Sequence, residues 1–223
     1  MNSCVVLFSG GQDSTTCLYW AKKVFDSVIA LGFNYGQKHV IELQQADKIA
    51  KDANVNYKIV NLQDIFSNSG LLLNTELSTS EQHPVYKNLP SSFVPGRNAV
   101  FLNIAASYAA SNEIYNIVGG MCETDYSGYP DCRREFIDSV EKSFSLAIQN
   151  EIKIHTPLMY LSKAHTWQLA DNLGILDIII EDTHTDYNGD RTTKNEWGYG
   201  KLDNPASVLR AKGYFEAKEN GWI

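Results

Sequence analysis

The chain has 223 residues, of which 43% are hydrophobic and 11% aromatic, and its 19 basic and 26 acidic side chains give a formal net charge of −7. This composition supplies a sizeable buried core and excludes a disordered chain. The acidic balance disfavours a nucleic-acid-binding surface, no run approaches the roughly 18 apolar residues of a membrane span, and the N-terminus lacks the pattern of a signal peptide. We therefore expect a cytoplasmic protein with neither a nucleic-acid nor a membrane partner.

Four cysteines are spread along the sequence at Cys4, Cys17, Cys122 and Cys132, and no two of them form a C-x-x-C pair. This spacing favours neither a disulfide framework nor a zinc knuckle. We expect four free, partly buried thiols.

The first part of the chain alternates short apolar runs with helical patterns. Residues 4–8 form a continuous apolar run that ends at Ser9-Gly10-Gly11, which is typical of a buried strand in a parallel sheet. Capping side chains at residues 13–16 then predict a helix. Further strands are predicted over 27–35 and 57–62, and the helix between them, over 40–53, should face inward with Ile41, Ala46, Ile49 and Ala50.

The same alternation resumes after an irregular stretch at 67–92 that is rich in Ser, Asn and Pro. Helices are predicted over 98–110, 135–149 and 163–173, and strands over 114–119 and 153–156. This order indicates an α/β fold with a doubly wound parallel sheet. We assign residues 1–180 to one domain and interpret residues 181–223, where the rhythm is lost, as a C-terminal appendage.

A phosphate-binding loop is indicated by Ser9-Gly10-Gly11-Gln12-Asp13-Ser14, between the first predicted strand and helix. Glycines let the backbone approach an anion, a helix N-terminus presents free N–H groups, and the serine hydroxyls can donate to phosphate oxygens. Asp13 would repel phosphates unless Mg²⁺ lies between them.

The segment resembles the S-G-G-x-D-S loop of the ATP pyrophosphatases, the PP-loop enzymes with an adenine nucleotide alpha hydrolase-like fold. The resemblance implies that ATP binds nine consecutive residues: Phe8, Ser9, Gly10, Gly11, Gln12, Asp13, Ser14, Thr15 and Thr16.

A second signature, at residues 122–133, reads Cys-Glu-Thr-Asp-Tyr-Ser-Gly-Tyr-Pro-Asp-Cys-Arg and follows the strand predicted at 114–119. It should therefore lie at the carboxyl edge of the sheet, where α/β folds bind ligands. With this segment the chain resembles the QueC family, the 7-cyano-7-deazaguanine synthases. The matching pieces cover residues 8–16, 35–39, 93–98, 120–133, 156–159, 162–164 and 209–214.

This resemblance implies a homodimeric carbon–nitrogen ligase of queuosine biosynthesis that uses ATP, Mg²⁺, ammonia and 7-carboxy-7-deazaguanine. The substrate carboxylate would be adenylated, ammonia would give the amide 7-amido-7-deazaguanine, and a second activation would give the nitrile 7-cyano-7-deazaguanine. An amide synthetase that stops at the amide, for DNA base modification, uses the same pocket and stays open as an alternative.

Within this framework, Asp13, Arg97 and Lys163 are the expected catalytic residues, with Asp13 binding Mg²⁺ and the two cations neutralising phosphate. A carboxylate of Glu123 or Asp125 could accept two hydrogen bonds from the guanine-like edge of the substrate. Tyr129 or Phe93 could stack on the ring. The full expected substrate set is His39, Phe93, Arg97, Glu123, Asp125, Tyr129 and Asp131.

The chain departs from the family pattern near its C-terminus, where family members carry four zinc-binding cysteines. Those positions fall here on Asp186, Lys201, Asn204 and Ser207. A protonated lysine has no lone pair, and neutral Asn and Ser are poor zinc ligands. We expect no zinc, and instead an Asp186–Lys201 salt bridge with Asn204 and Ser207 hydrogen-bonded around it.

Other functions fit parts of the sequence less well. A tRNA-thiolating ATP pyrophosphatase would need relay cysteines and a basic surface. A glutamine-dependent amidotransferase would need a glutaminase domain, so free ammonia is the expected nitrogen source. A non-catalytic nucleotide-binding paralogue that merely keeps the fold is a further alternative, and the intact segments 9–14 and 122–133 argue against it.

Overall fold

The computed structural model describes residues 2–37, 41–62, 65–66, 71–72, 81–124, 128–186 and 189–223. Five parallel strands form its main sheet, in the order β3-β2-β1-β4-β5. These strands are β1 (Ser3–Leu7), β2 (Ser27–Asn34), β3 (Asn56–Asn61), β4 (Asn116–Val118) and β5 (Lys153–His155). The helices of the described residues are α1 (Gln12–Val24), α2 (Ile41–Asp52), α3 (Arg97–Ala110), α4 (Arg134–Ile148), α5 (Lys163–Asn172), α6 (Leu176–Asp182) and α7 (Pro205–Glu219).

The central strand β1 explains why helices cover both faces of the sheet. Its apolar residues alternate between the faces, because successive side chains of a strand point in opposite directions. Val5 packs in one core with α3 and α4, whereas Cys4 and Val6 pack in a second core with α1 and α2. The predicted doubly wound α/β fold is therefore confirmed.

The strand order also fixes where a ligand can bind. From β1 the chain runs outward to β2 and β3 on one side, and then continues on the other side with β4 and β5. Open parallel sheets bind ligands in the crevice at such a reversal, outside the carboxyl ends of the strands. The loops that follow β1 and β4 border this crevice.

Most predicted elements are present, with ends shifted by a few residues. The inward face of α2 differs in two positions: Leu43 is buried with Ala46, Ile49 and Ala50, whereas Ile41 is only half-buried. All four cysteines are free thiols. Across the described ranges, no helix combines the length and apolar character of a membrane span.

The C-terminal residues contain two helices that the sequence analysis does not predict, α6 and α7, and a short antiparallel pair, β6 (Lys194–Asn195) and β7 (Gly198–Tyr199). Helix α7 packs on α5, where the Tyr214 ring meets the Trp167 ring edge-on at 5.1 Å. Gly213 makes this close packing feasible, because a Cβ there would lie 2.6 Å from Cγ of Lys163.

Candidate active site

A cavity of about 750 Å³ opens at the carboxyl edge of the sheet. One wall is the loop after β1, and facing walls come from the segment after β4, from the N-terminal end of α3 and from α7. A volume of this size holds a ligand as large as a nucleotide with part of a second substrate. The C-terminal segment thus completes the cavity rather than lying apart from it.

The loop of residues 9–14 runs from β1 into the first turn of α1, as the sequence predicts. Gly10 has a φ of +80°, and the backbone of α2 would lie 2.7 Å from a Cβ at this position, so only glycine fits. The hydroxyls of Ser9 and Ser14 lie 3.1 Å apart and lock the loop. Gly11 caps α1 without a side-chain bond, so the N-terminal N–H groups of the helix are left for an anion.

Two of the expected catalytic residues meet at this loop although 150 positions separate them. Both carboxylate oxygens of Asp13 accept hydrogen bonds from the Lys163 ammonium, at 3.0 and 2.9 Å. Gly120, after β4, lies against this pair, with its would-be Cβ 3.4 Å from the Asp13 backbone. The pair places one cation and one anion side by side at the loop, on the wall of the cavity.

The segment before α7 rests directly on the phosphate loop. The backbone N–H of His184 donates to the Gly10 carbonyl at 3.1 Å. The imidazole of His184 is buried, which lowers its pKa to about 4 and keeps it neutral. Residues His184, Thr185 and Arg210 line the same side of the cavity.

Arg210 of α7 is a fully buried cation on this wall. Its guanidinium donates to the carbonyls of Ile179 and Trp197, at 2.6 and 3.0 Å, and to the hydroxyls of Thr183 and Thr185, both at 2.8 Å. Burial lowers its pKa to about 9, and attraction to Asp13 opposes that shift, so it remains charged at neutral pH. The wall therefore combines a rigid hydrogen-bond hub with positive potential at the phosphate loop.

A third cation of the cavity lining, Arg97, begins α3 directly after Gly96, whose φ is +70°. Its guanidinium lies 5.9 Å from the centre of the Tyr35 ring. Gln37 holds the turn after β2 by accepting from the Tyr35 N–H and donating to the Phe33 carbonyl, at 2.9 and 3.2 Å. Tyr35, Gln37 and Arg97 all line the cavity.

Glu42, in the first turn of α2, also lines the cavity, and no sequence motif gives it a role. Burial raises the pKa of its carboxyl to about 7, and the positive charge of Arg97 partly opposes this shift. The only sequence signal for it is its position three residues after His39, just beyond the matching segment 35–39.

Some of the expected site residues have structural roles outside the cavity lining. Glu123 is exposed and accepts from the N–H of Arg134 at the start of α4, at 3.1 Å. Asp131 is buried and accepts from the N–H of Asn98 at the start of α3, at 3.1 Å, and its burial raises its pKa. Both carboxylates therefore stabilise helix N-termini.

The two aromatic residues expected to stack on the substrate, Tyr129 and Phe93, differ in position: one lines the cavity and the other does not. Tyr129 lines the cavity, and its hydroxyl lies 2.7 Å from the Ser92 hydroxyl. Phe93 packs behind it, with ring centres 5.5 Å apart, and only Tyr129 is placed to stack on a ligand.

Three of the remaining expected residues, Gln12, Thr15 and Thr16, belong to α1. Thr15 and Thr16 are fully buried within α1, and the Thr16 hydroxyl donates to the Gln12 carbonyl at 2.9 Å. The Gln12 side chain lines the cavity, and its buried amide nitrogen has no hydrogen-bond partner among the described residues. His39 and Asp125 lie outside the described residues.

The four positions of the family's zinc site form a hydrogen-bonded cluster centred on Asp186, whose side chain is buried. Its Oδ2 accepts from the Asn204 amide at 2.9 Å, from the Ser207 hydroxyl at 3.0 Å and from the backbone N–H of Lys201 at 3.0 Å. The expected hydrogen bonds of Asn204 and Ser207 are present, but the Asp186–Lys201 salt bridge is wrong: the lysine side chain is exposed and only its backbone reaches Asp186. One carboxylate, one amide and one hydroxyl do not match the thiolate and imidazole ligands that zinc prefers.

Solved structures share the fold at low sequence identity. A predicted subunit of a tRNA methyltransferase from Methanocaldococcus jannaschii matches with a TM-score of 0.50 and 20% identity, over 77% of this chain and 75% of that one. A 4-thiouridine synthetase solved with RNA and bound ATP matches with a TM-score of 0.52 and 16% identity, over 98% of this chain and 51% of that one. These likenesses confirm the fold class.

Sequence relatives cover nearly the whole chain. A protein named 7-cyano-7-deazaguanine synthase from Helicobacter pylori is 46% identical over 96% of this chain and 96% of its own length. A protein of the same name from Wolinella succinogenes is 46% identical over 95% of this chain and 92% of its own length. The 7-cyano-7-deazaguanine synthase from Rhodopseudomonas palustris is 46% identical over 96% of this chain and 94% of its own length. The family model described as queuosine biosynthesis protein QueC matches residues 3–218. Since the match spans the sheet, the phosphate loop and α7, the chain belongs to the QueC family.

Proposed function

We propose that this chain is an ATP-dependent ligase that converts 7-carboxy-7-deazaguanine and ammonia into the amide and then into the nitrile 7-cyano-7-deazaguanine. The observation that carries the proposal is the phosphate loop with its Asp13–Lys163 pair, which faces a cavity of about 750 Å³. Relatives at 46% identity that bear the name of the nitrile-forming synthase support the choice of substrate and product.

Adenylation comes first because a carboxylate is a poor acylating agent. The substrate carboxylate attacks the α-phosphorus of ATP, and the bond from that phosphorus to the pyrophosphate oxygen breaks. The N–H groups at the start of α1 and the hydroxyls of Ser9 and Ser14 bind the departing pyrophosphate. Lys163 and Arg210 place positive charge where negative charge develops, and such preorganised charge is usually the largest catalytic contribution.

The nitrogen enters in the second step. Ammonia attacks the acyl carbon, the bond to the AMP oxygen breaks, and loss of a proton from nitrogen gives the amide. The amide oxygen then attacks the α-phosphorus of a second ATP and releases pyrophosphate. Departure of AMP from carbon, with loss of the two remaining protons on nitrogen, gives the nitrile.

Mg²⁺ fits the donor set at the loop. Proteins commonly bind it through one or two carboxylates together with substrate phosphate oxygens, and Asp13 retains lone pairs beyond those that accept from Lys163. When bound, the ion would neutralise charge on the pyrophosphate. Asp13 would hold it, beside the ammonium of Lys163.

We further propose that the chain binds no zinc and acts as a cytoplasmic homodimer. The Asp186 cluster supports the first point, because its hydrogen bonds satisfy a buried carboxylate without a metal. Metal analysis of purified protein should give far less than one zinc per chain, and stoichiometric zinc would contradict this. Light scattering on the purified protein tests the homodimer.

The test of the function is pyrophosphate release. Release should require ATP, Mg²⁺ and 7-carboxy-7-deazaguanine together, and Lys163→Met should lose most of it. Release without the deazaguanine would contradict the substrate assignment. ATP binding without any release would favour the non-catalytic paralogue.

A further inference from the structure

Two acidic side chains belong to the described lining of the cavity, Asp13 of the phosphate loop and Glu42 of α2. Glu42 is half-buried, and within the described ranges its carboxyl makes neither a hydrogen bond nor an ion pair. Helix α2 holds it in place, because the Glu42 carbonyl would lie 2.9 Å from a Cβ on Gly10 and so packs on the phosphate loop. The carboxyl is thus fixed in the wall, and no described residue hydrogen-bonds to it.

The surroundings of Glu42 make an unpartnered carboxylate costly. Among the described residues, the positive charge of Arg97 on α3 acts on the Glu42 carboxyl. Besides burial, the negative charge of Glu42 in turn raises the pKa of two phenols, Tyr35 just after β2 and Tyr57 on β3. Leu43 beside it is apolar and lines the cavity too. A desolvated carboxylate gains most from a ligand that donates hydrogen bonds to it.

The ligand chemistry follows from the acceptor. An ionised carboxylate offers two oxygens side by side and accepts a pair of parallel N–H groups best. The guanine-type ring of the proposed substrate carries such a pair, the ring N1–H and the exocyclic 2-amino group. The expected acceptor Glu123 is exposed, and it already accepts a hydrogen bond from the N–H at the start of α4. Apart from Asp13, Glu42 is therefore the acid of the described cavity lining that can accept hydrogen bonds from the base.

We propose that Glu42 accepts hydrogen bonds from the N1–H and 2-amino edge of the deazaguanine ring and thereby selects guanine-type bases. This inference rests on the proposed function, since it names the residue that recognises the substrate of that reaction. A base that lacks the 2-amino group leaves one carboxylate oxygen unpaired in a desolvated site, and such sites discriminate strongly against the analogue.

The competing role for an acid in this cavity is that of proton acceptor for the incoming ammonium. The two roles differ in kinetics. A base-binding residue affects the KM for the deazaguanine and the preference between bases. A proton acceptor affects kcat and leaves that preference unchanged.

The experiment compares wild type, Glu42→Gln and Glu135→Gln on 7-carboxy-7-deazaguanine and on the analogue without the 2-amino group. Glu135 is a matched control, because it is an exposed glutamate in the first turn of α4, as Glu42 is in the first turn of α2. The readouts are kcat and KM for each base and the KM for ATP.

We expect wild type to prefer the 2-amino base by about 10- to 100-fold in kcat/KM, the effect of one hydrogen bond to a charged group. Glu42→Gln should raise the KM for this base by a similar factor and reduce the preference to a few-fold, since the amide presents a donor where an acceptor is needed. The KM for ATP should not change, and Glu135→Gln should behave as wild type.

Three outcomes would overturn the inference. If Glu42→Gln keeps both the KM and the preference, Glu42 does not bind the base, although wild-type turnover would still uphold the proposed function. If only kcat falls, the residue is a proton acceptor. If wild type itself prefers neither base, the inference fails without any variant, so it stays falsifiable even if Glu42→Gln does not fold.

Discussion

Replacing Asp186 tests whether its hydrogen-bonded cluster stabilises the C-terminal wall of the cavity. In Asp186→Ala, the Asn204 amide, the Ser207 hydroxyl and the Lys201 N–H lose their common acceptor. Each hydrogen bond to a charged acceptor contributes about 1.5–3 kcal/mol. Burial of the carboxylate offsets part of this sum, and Asn204 and Ser207 still bond each other at 3.1 Å.

The net loss should therefore be about 2–4 kcal/mol in the free energy of unfolding, a large share of the roughly 5–15 kcal/mol of a typical protein. Urea unfolding measures it, with Asp171→Ala, an exposed aspartate on α5, as the control. Asp186→Asn should lose less, because it retains one oxygen acceptor.

The same variant should weaken ATP binding, because His184, two residues earlier, holds the Gly10 carbonyl of the phosphate loop. We expect the KM for ATP to rise several-fold in Asp186→Ala and much less in Asp186→Asn. The reasoning is refuted if Asp186→Ala unfolds at the same urea concentration as Asp171→Ala with an unchanged KM for ATP.

Three further predictions follow from the charges around the cavity. Lys163→Met should lower kcat by about 10²–10³-fold, since it removes charge stabilisation at the phosphates, whereas the exposed Lys142→Met should retain wild-type kcat. Ligand-free Glu42→Gln should be more stable than wild type by about 1–3 kcal/mol at pH 8. The raised pKa of about 7 for the Glu42 carboxyl means that wild type loses stability as pH rises from about 4.5 through 7. Urea unfolding at pH 8 and at pH 5 measures this, and the difference in stability should be smaller at pH 5. Arg210→Lys should lose about 2–4 kcal/mol by urea unfolding, because an ammonium cannot reach the four acceptors of the guanidinium, and wild-type stability would contradict its role as a hub.

Local sequence signals were sufficient for the sheet and the phosphate loop. The apolar run before Ser9 and the glycines after it are contiguous, so strand, loop and helix follow from local physics. The sequence predicted a separate role for Asp13 and for Lys163, but not the hydrogen bond between them. Residues 150 positions apart meet only through the order of the strands.

Other features depend on contacts that form only on folding. Helix α7 was not predicted, because the alternation of strands and helices is lost after residue 180, and its packing against Lys163 at Gly213 has no local sequence signal. The substrate-binding roles of Glu123 and Asp131 stay predictions, and the structure adds that both accept hydrogen bonds from helix N-termini that sequence alone does not bring near them. Glu42 carries no local mark of its place in the cavity wall, because the phosphate loop and the charge of Arg97 come near it only after folding.

The most direct test of the central claim is the product formed by purified protein from 7-carboxy-7-deazaguanine, ATP, Mg²⁺ and ammonium, followed by mass over time. We expect the nitrile as the final product, with the amide present only transiently and pyrophosphate released at each activation. Amide that accumulates and is never dehydrated would contradict nitrile synthesis and identify an amide synthetase. No product under these conditions would contradict the ligase assignment itself.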